Sequence, residues 1–420
     1  MINCNWIANC TKGWIMIIPR DITPHLLNLS SQYPITAILG PRQSGKTTLA
    51  KSSFPEYQYV NLESLDLRRA AQEDPRSFLN SYQGGPGVII DEIQHVPELF
   101  SYLQVTVDLN RRPGFFIITG SQNFLLHAKI TQSLAGRVAL LTLLPLTVSE
   151  LKKTNKSNLN LENQLFKGSY PSIYAHQIDP QSWLHNYIDT YVEKDVRQLL
   201  QISNTSAFQR FIQLCAARVG NLINYSALAR DCDISPNTAK AWLSILETSY
   251  IIRLLTPYHQ SFNKRLIKAP KLYFYDTGLV CALLRIQSPE ELYLHPMRGA
   301  IFECLIVSEI QKELYNRNNR SQLHFWRDVQ GHEVDIIIEK GFQQTVPVEI
   351  KASRTAQDAL FKGLMQWQII SNYSANSSYI IYGGDEHITR TAGQFLAWHQ
   401  IDKLLATILS NSTGLDFMLT

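Results

Sequence analysis

Short apolar runs recur along the first third of the chain and predict its framework. The runs cover residues 35–39, 57–62, 88–90, 115–119 and 138–144, and helical patterns fill most of the intervals between them. Strands buried on both faces of a parallel sheet have this nearly continuous apolar character, because helices cover both faces. The pattern therefore predicts an α/β domain built on a parallel sheet.

The middle of the chain carries the pattern of a helix-turn-helix. Two short helices are predicted at residues 225–231 and 238–250, with a turn between them and a helix start at Ser235. The apolar runs 251–255 and 273–275 can form the two strands of a wing. We therefore expect a winged-helix segment in this part of the chain.

The last third mixes helical and strand patterns. A helix is predicted from Gly299 to about Tyr315, and a second one follows near the end of this region. A hairpin is predicted across the turn Lys340-Gly341, because period-2 patterns flank it on both sides. The remaining predicted elements are a strand at 325–328, the hairpin strands 333–338 and 345–351, a helix at 356–369 and a closing strand at 379–382.

Composition adds limits to this picture. The chain has 420 residues, of which 45% are apolar and 18% charged, and this is ordinary for a protein of several globular domains. Its net charge of +4 is too small to indicate nucleic-acid binding by the chain as a whole. Residues 205–271, however, hold nine Lys and Arg against three acidic residues, a local charge of +6.

That local charge coincides with the predicted winged helix and makes DNA a candidate partner. The second helix would expose residues toward a groove, and the wing would bring basic residues to phosphates. Winged helices also act as dimerisation or lid modules, and that alternative remains open. The groove-facing residues would be Asn237, Thr238, Lys240 and Ala241, and the phosphate-facing ones Lys264, Arg265 and Lys268.

The location predicted for the protein is the cytoplasm. Its six cysteines show no C-x-x-C spacing, which favours reduced thiols over a disulfide framework or a zinc site. The longest apolar segment, residues 138–148, is too short to span a bilayer, so no membrane partner is expected. The first fifteen residues lack the features of a signal peptide, and Met16 is an alternative start.

Residues 40–47 carry the clearest chemical motif of the chain, G-x-x-x-x-G-K-[ST]. Glycines let the backbone wrap tightly with its N–H groups turned inward, toward nucleotide phosphates. Lys46 would reach the terminal phosphates, and the Thr47 hydroxyl would hold Mg²⁺. The predicted nucleotide-binding residues are Gly40, Pro41, Arg42, Gln43, Ser44, Gly45, Lys46, Thr47 and Thr48.

Two carboxylates follow the predicted strand 88–90 and complete the nucleotide site. Ligands of open α/β sheets bind at the carboxyl ends of the strands, where Asp91 and Glu92 would lie. Asp91 would join the Mg²⁺ shell, and Glu92 would orient or deprotonate the attacking water. The alternative is that this pair only caps the next helix.

Two further residues are candidates for catalysis. Ser121 follows the strand 115–119, where a sensor of the γ-phosphate would lie, although an ordinary strand-terminating turn also explains it. Arg137 precedes the next strand and could stabilise transition-state charge in its own subunit or in a neighbouring one. The second option implies a homo-oligomer. A surface ion pair is the alternative for Arg137.

Four stretches together carry a family resemblance, namely GPRQSGKTTL, VIIDEIQ, FIITGSQ and SLAGRV. Their combination closely resembles the prokaryotic AAA-type ATPases that have a C-terminal domain of uncharacterised function. The resemblance extends beyond residue 350. It implies a P-loop NTPase fold for the first domain, an ATPase activity, and ATP and Mg²⁺ as cofactors.

A second charged constellation lies on the predicted C-terminal hairpin. Glu349 and Lys351 share one face of their strand, and Asp335 can lie beside them on the adjacent strand. Two carboxylates and a lysine at this D…E-x-K spacing form an oxygen-ligand site for a hard divalent cation. Glu303 supplies a further carboxylate from the preceding helix. A charged strand edge with ion pairs is the alternative.

This arrangement resembles the restriction-endonuclease-like nucleases over residues 297–383. A degenerate nuclease fold that retains only these residues would give the same pattern. The resemblance implies a C-terminal α/β domain and, for an intact site, Mg²⁺-dependent cleavage. The resulting domain prediction is an N-terminal extension at 1–15, an AAA-type ATPase domain at 16–160, a helical linker or lid at 161–204, a winged-helix domain at 205–285 and a restriction-endonuclease-like domain at 286–420.

Three functions are compatible with the sequence. The first is an ATP-hydrolysing protein whose nucleotide state moves a winged-helix and nuclease-like half that acts on DNA. The second is an ATP-dependent switch or scaffold for protein partners, in which the nuclease-like domain is inactive. The third is a metal-dependent nuclease whose ATPase domain regulates access. The first is our prediction from the sequence.

Overall fold

The computed structural model describes residues 17–120, 134–154, 160–196, 204–258, 269–328, 330–341, 344–371 and 378–410, with the backbone alone at 193–196 and 410. The predicted N-terminal extension lies outside these ranges, as does Ser121. The three basic residues predicted for the wing, Lys264, Arg265 and Lys268, also lie outside them.

The first sheet is parallel throughout, as the alternation of apolar runs predicted. Its strand order is β2-β3-β4-β1-β5, and every neighbouring pair runs parallel. Crossover helices connect such strands and cover both faces of the sheet. The strands are β1 Ile35–Leu39, β2 Gln58–Asn61, β3 Val88–Asp91, β4 Phe116–Gly120 and β5 Val138–Thr142.

Two apolar layers hold helices against this sheet. On one face, Ile38 and Ile117 pack with Leu49. On the other face, Ile90 packs in a cluster with Phe100. Successive strand residues point to opposite faces, so the continuous apolar runs serve both layers. The helices are Thr23–Ser30, Lys46–Ser53, Leu65–Glu73, Pro75–Asn80 and Leu99–Leu109, with a 3₁₀ turn at Ile93–His95.

A helical region follows the first sheet. Within the predicted helical linker, an α-helix, Pro180–Tyr187, is continued by a π-helix over Ile188–Val196. The α-helix begins where Asp179 accepts the N–H of Ser182 at 2.8 Å and a proline follows it. The other helices are Val148–Lys152, Leu161–Lys167, Pro171–Ala175, Thr205–Ala216, Tyr225–Asp231, Pro236–Thr248, Thr277–Leu283 and Pro289–Leu294.

The helix-turn-helix pattern corresponds to helices Tyr225–Asp231 and Pro236–Thr248. The predicted start at Ser235 is confirmed, since its hydroxyl accepts the N–H of Thr238 at 3.0 Å. Two antiparallel strands, β6 Ile252–Leu255 and β7 Lys271–Phe274, lie close to the bounds predicted for the wing.

The C-terminal sheet is mixed and has six strands in the order β12-β13-β11-β10-β9-β8. The predicted hairpin is present, because β9 and β10 pair antiparallel with Val348 opposite Ile336. Strand β11 then runs parallel to β10. The strands are β8 Gln322–Arg327, β9 Glu333–Gly341, β10 Gln344–Lys351, β11 Tyr379–Tyr382, β12 Ile388–Arg390 and β13 Gly393–Ala397; the helices are Arg298–Asn316, Lys362–Ser371 and Ile401–Ser410, with a 3₁₀ turn at Asp358–Phe361.

The largest apolar cluster joins the helical region to the C-terminal sheet. It contains Phe211 and Leu243 of the middle helices, Phe302 of helix Arg298–Asn316, and Ile336 of β9. The packing is therefore continuous across residue 285, where the sequence suggested a boundary. Within the part of the chain that the structure describes, no helix is both long and apolar enough to cross a bilayer.

One buried ion pair fixes Arg20, near the first described residue, to the loop that follows β1. The guanidinium of Arg20 donates to Glu150 Oε1 at 3.0 Å, to the carbonyl of Ser44 at 2.8 Å and to that of Leu144 at 2.7 Å. Both ionised side chains are almost completely buried. Charges removed from water in this way need all of these partners.

A second buried ion pair attaches the C-terminal half. Lys312 and Glu309 of helix Arg298–Asn316 lie 2.9 Å apart. Lys312 donates to the carbonyl of Leu146 at 3.2 Å, and Glu309 accepts the N–H of Val148 at 2.7 Å. This helix is thereby held to the segment that follows β5.

Replacing Glu150 by alanine should destabilise the protein strongly. The change leaves the buried guanidinium of Arg20 without its carboxylate, a loss typically of about 3–5 kcal/mol in the free energy of unfolding. Urea denaturation followed by circular dichroism measures this. The control is Arg210→Ala, which breaks an exposed ion pair with Asp233 and should cost at most about 1 kcal/mol. Equal losses in both variants would contradict the role given to Arg20 and Glu150.

Candidate functional site

The loop between β1 and the following helix has a backbone that only this spacing of glycines permits. Gly40 and Gly45 have φ values of 147° and 95°, and Gln43 has a φ of 63°. A Cβ at Gly40 would lie 2.1 Å from the carbonyl oxygen of Leu143. Any other residue would therefore displace the neighbouring strand end, which explains the first glycine of the motif.

Lys46 is the first residue of helix Lys46–Ser53 and is buried within the loop. Its ammonium donates to the carbonyls of Gly40 at 3.0 Å and Pro41 at 2.7 Å. Burial lowers the pKa of Lys46 to about 8, although Glu92 and Asp91 favour its charge. A cation that shares its hydrogens only with two carbonyls is well placed to bind an anionic group.

Asp91 is the buried end of β3 and lies against Thr47. The Thr47 hydroxyl donates to Asp91 Oδ2 at 2.8 Å, and the Tyr59 hydroxyl donates to the same oxygen at 2.8 Å. Thr119 donates to the other carboxylate oxygen. The two residues predicted to hold Mg²⁺ are thus in contact, and Asp91 is oriented by three hydroxyl groups.

Tyr59 and Thr119 were not predicted as site residues. They lie beside Asp91 because β3 is flanked by β2 on one side and by β4 on the other. That order cannot be derived from the apolar pattern alone. The signal available in the sequence is that Thr119 lies at the end of a predicted strand, whereas Tyr59 lies within one.

Glu92 turns away from the sheet immediately after β3, with a φ of 54°. Its N–H donates to Thr119 Oγ1 at 3.4 Å, and its carboxylate accepts a hydrogen bond from Gln94. The left-handed conformation places Glu92 at the rim of a cleft of about 350 Å³. The cleft is lined by Arg42, Gln43, Gly45, Lys46, Thr47, Thr48, Tyr59, Asn61, Glu63, Asp91 and Glu92.

Ser44 is a buried polar residue of the same loop. It is fully buried, and its hydroxyl oxygen has no hydrogen-bond partner among the described residues. An unpaired buried hydroxyl costs free energy unless a ligand satisfies it. The loop therefore has the features of a phosphate cradle.

Arg137 does not belong to this site. It precedes β5 and lies next to Ile35, at the start of β1, whereas the loop follows the end of β1. A five-residue strand of roughly 16 Å separates the two ends of the sheet. Arg137 instead forms two contacts with Asp108, at 2.6 and 2.8 Å. The predicted role in its own subunit is therefore wrong.

The middle helices touch the phosphate loop directly. The Tyr187 hydroxyl donates to the carbonyl of Arg42 at 3.3 Å, and the Ser172 hydroxyl donates to Gln43 Oε1 at 3.4 Å. The guanidinium of Arg42 lies 5.7 Å from the ring centroid of Tyr191. Residues outside the first domain thus contact two positions of the loop.

The structure also brings the C-terminal charged residues together. Lys351 lies 2.5 Å from Glu349 Oε1 and 3.7 Å from Asp335 Oδ2. Asp335 also accepts the N–H of Ile350 at 2.8 Å. The predicted alignment of Glu349 and Lys351 beside Asp335 is therefore what the hairpin produces.

Lys271, one of the nine basic residues counted in residues 205–271, is buried against the same cluster. Its ammonium lies 3.0 Å from Glu303 Oε1 and 3.8 Å from Asp335 Oδ1, and it contacts Glu333. Tyr273 donates to Glu303 at 2.5 Å. Burial opposes the charge of Lys271, but the three carboxylates outweigh it and raise its pKa.

The cluster does not form the metal site that the spacing predicted. Among the described residues, no group of three or more His, Cys, Asp or Glu side chains is arranged to hold a metal ion. These carboxylates pair with ammonium groups instead: Lys271 lies close to Glu303 and Asp335, and Lys351 lies close to Glu349. The crowded carboxylates still interact: burial and the charge of Asp335 raise the pKa of Glu349 to about 8 and that of Glu303 to about 7.

Several basic residues of 205–271 have polar partners within the described part of the chain. Arg218 pairs with Asp231 at 2.5 Å, and Arg210 pairs with Asp233. Arg253 donates to Gln311. At the start of helix Pro236–Thr248, Asn237, Lys240 and Ala241 are exposed, as predicted for a reading face, and Thr238 is half-buried.

Three family profiles match consecutive parts of the chain. One is described as an AAA domain and matches residues 32–152. The other two are domains of unknown function, DUF8612 at residues 158–290 and DUF4143 at residues 298–401. The first profile agrees with the phosphate loop and with the carboxylates at the end of β3. The protein therefore has an AAA-type ATPase domain.

Solved structures to which the chain shows some similarity include the Walker-type ATPase PABY2304 of Pyrococcus abyssi. It has a TM-score of 0.43 and 17% identity, covering 66% of this chain and 99% of that one. DnaA from Aquifex aeolicus, bound to AMPPCP, has a TM-score of 0.27 and 15% identity, covering 54% and 85%.

A curated relative matches nearly the whole chain. The uncharacterized protein Rv2008c of Mycobacterium tuberculosis is 30% identical over 405 residues, which are 94% of this chain and 88% of that protein. An uncharacterized protein of Haemophilus influenzae is 24% identical over 295 residues, covering 63% and 72%. The chain belongs to the family of the mycobacterial protein, in which an AAA-type ATPase domain precedes two domains of unknown function.

Proposed function

We propose that the protein binds ATP with Mg²⁺ and hydrolyses it. The helices that contact the phosphate loop would then change position according to the nucleotide bound. One observation carries this proposal. Lys46, the contact between Thr47 and Asp91, and the carboxylate of Glu92 all surround one cleft. Phosphoryl transfer requires little covalent chemistry from a protein, so positioned charges of this kind are its main contribution.

Each residue has a role that follows from its position. Lys46 would exchange its two loop carbonyls for terminal phosphate oxygens, and the Ser44 hydroxyl would gain a partner. Thr47 and Asp91 would hold Mg²⁺, which neutralises charge on the phosphates when bound. The residues fit that ion, because the Thr47 hydroxyl already meets a buried carboxylate.

Glu92 is the residue proposed to act on water. It lies at the cleft beside Lys46, and its carboxylate is oriented by Gln94. A carboxylate held in this way can orient a water molecule and accept its proton. Ser121, the predicted γ-phosphate sensor, follows β4 beyond the described residues and keeps that role as a proposal. Arg137 keeps only the role in a neighbouring subunit, which requires a homo-oligomer.

Communication with the remaining chain is supported by the contacts of Tyr187 and Ser172 with the loop. A bound nucleotide that moves the backbone of Arg42 or Gln43 would alter these hydrogen bonds. The buried guanidinium of Arg20 ties Ser44 to the segment that supports helix Arg298–Asn316. Movement of the loop therefore has two physical routes to the C-terminal half.

DNA remains the partner that we propose for the C-terminal half. The winged-helix interpretation of residues 205–285 and the nuclease-like one of 286–420 support it, together with the exposed Asn237 and Lys240. The alternative is a switch or scaffold for protein partners. It is favoured by the ammonium groups of Lys271 and Lys351 within the carboxylate cluster, where an active nuclease would need a metal ion.

Lys46→Ala should reduce the rate of ATP hydrolysis at least about 100-fold, because the charge facing the terminal phosphates is lost. Glu92→Gln should reduce turnover to a similar extent while ATP binding persists, since it alters only the group that acts on water. Steady-state phosphate release and equilibrium binding of ATP separate the two effects. Arg111→Ala, an exposed change outside the cleft, is the control. Turnover by Lys46→Ala at the wild-type rate would show that hydrolysis occurs elsewhere.

The affinity for ATP should fall as the pH rises through 8. Lys46 has a pKa of about 8 in the free protein, so it loses its charge above this pH, and bound phosphates favour the charged form. The dissociation constant should rise about tenfold between pH 7 and pH 9. Lys46→Arg, which stays charged over this range, provides the control. A flat profile for the wild type would contradict the assignment of Lys46.

ATP hydrolysis should be stimulated by DNA if DNA is the partner. The assay compares the rate with and without duplex, single-stranded and branched DNA. Lys240→Ala should weaken the stimulation and reduce its dependence on salt concentration, because one phosphate contact is removed. Unchanged hydrolysis with all three forms of DNA would favour the switch or scaffold function.

A further inference from the structure

We propose that Lys271 closes a latent divalent-cation site, with its ammonium group in the position that a Mg²⁺ or Mn²⁺ ion would take among the C-terminal carboxylates. The carboxylate cluster consists of Glu303, Glu333, Asp335 and Glu349. This inference goes beyond ATP hydrolysis and does not depend on it.

The position of the ammonium group is the first argument. Lys271 reaches three of the four carboxylates, which come from helix Arg298–Asn316 and from strand β9. Only 4% of its side chain is exposed, so it is a counter-ion of the cluster and not a surface cation. Tyr273, two residues along β7, faces the same cluster through Glu303.

Charge balance is the second argument. The four carboxylates meet three basic side chains, namely Lys271, Lys351 and Arg327, which lies 3.2 Å from Glu333. Without Lys271 the same carboxylates would face two basic side chains. Buried carboxylates in such excess must acquire a cation or a proton. Hard divalent cations prefer carboxylate oxygens in this setting.

Unused oxygen atoms are the third argument. Glu349 Oε2 is buried and has no hydrogen-bond partner within the described chain. Asp335 Oδ1 is 3.8 Å from the ammonium group of Lys271, too far for a hydrogen bond. Glu349 thus keeps an oxygen available for a further ligand, and the amine of Lys271 lies within 3.8 Å of both Asp335 and Glu303.

Removing the amine should therefore create a metal site. Lys271→Met in the full chain without nucleotide should bind one Mn²⁺ ion at least about tenfold more tightly than the wild type, because a unit positive charge within 4 Å is lost. Electron paramagnetic resonance of free Mn²⁺ measures the binding. Lys271→Arg, which keeps the charge, should not gain affinity. Equal Mn²⁺ affinity in Lys271→Met and the wild type would overturn the proposal.

Two further variants assign the gain to this cluster. Lys271→Met/Asp335→Asn should lose the added Mn²⁺ site, whereas Lys271→Met/Asp91→Asn, altered at the ATP cleft, should keep it. The reverse result would place the ion at the ATP cleft and contradict the inference. Lys271→Met should also melt at a higher temperature with saturating Mn²⁺ than with chelator. A variant that remains unfolded in saturating Mn²⁺ would show that a metal cannot replace the amine.

Discussion

The buried guanidinium of Arg20 is the interaction on which the ATP site and its surroundings depend. It binds the backbone of the phosphate loop at Ser44, the end of the β5 region at Leu144, and the carboxylate of Glu150. A phosphate loop needs a fixed backbone, because its N–H groups must be oriented before the ligand arrives. Here that backbone is held by a side chain that precedes the first described helix, Thr23–Ser30, and not only by the loop itself.

The same contacts make the loop part of a larger unit. Glu150 belongs to helix Val148–Lys152, whose first N–H is bound by Glu309 of helix Arg298–Asn316. Tyr187 reaches the loop from the middle helices. Hydrogen bonds, and not only apolar packing, therefore connect the loop to the C-terminal half. A change in the loop could act through them. Directional contacts of this kind have two distinguishable states, made or broken.

Local features of the fold were predictable, but long-range partners were not. The bounds of β1, β11 and helix Tyr225–Asp231 follow from apolar runs and turn residues that lie next to them in the chain. The phosphate loop and Asp91 follow from motif spacing. Lys271 was counted as part of a basic segment and not as a buried residue. Its carboxylate partners belong to elements further along the chain, so its neighbours in sequence do not indicate them. Arg20 was missed for the same reason.

Hydrogen–deuterium exchange of the full-length Glu92→Gln variant, with and without ATP, is the most direct test of the account. It measures whether ATP binding in the first domain changes the structure of the C-terminal half. Peptides covering Pro171–Tyr187 and Leu305–Leu314 should change their exchange when ATP is bound, together with the loop at 40–48. Their amides lie along the two routes through Tyr187 and Arg20. Changes confined to the loop and to residues 91–92 would show that the C-terminal half does not sense the nucleotide.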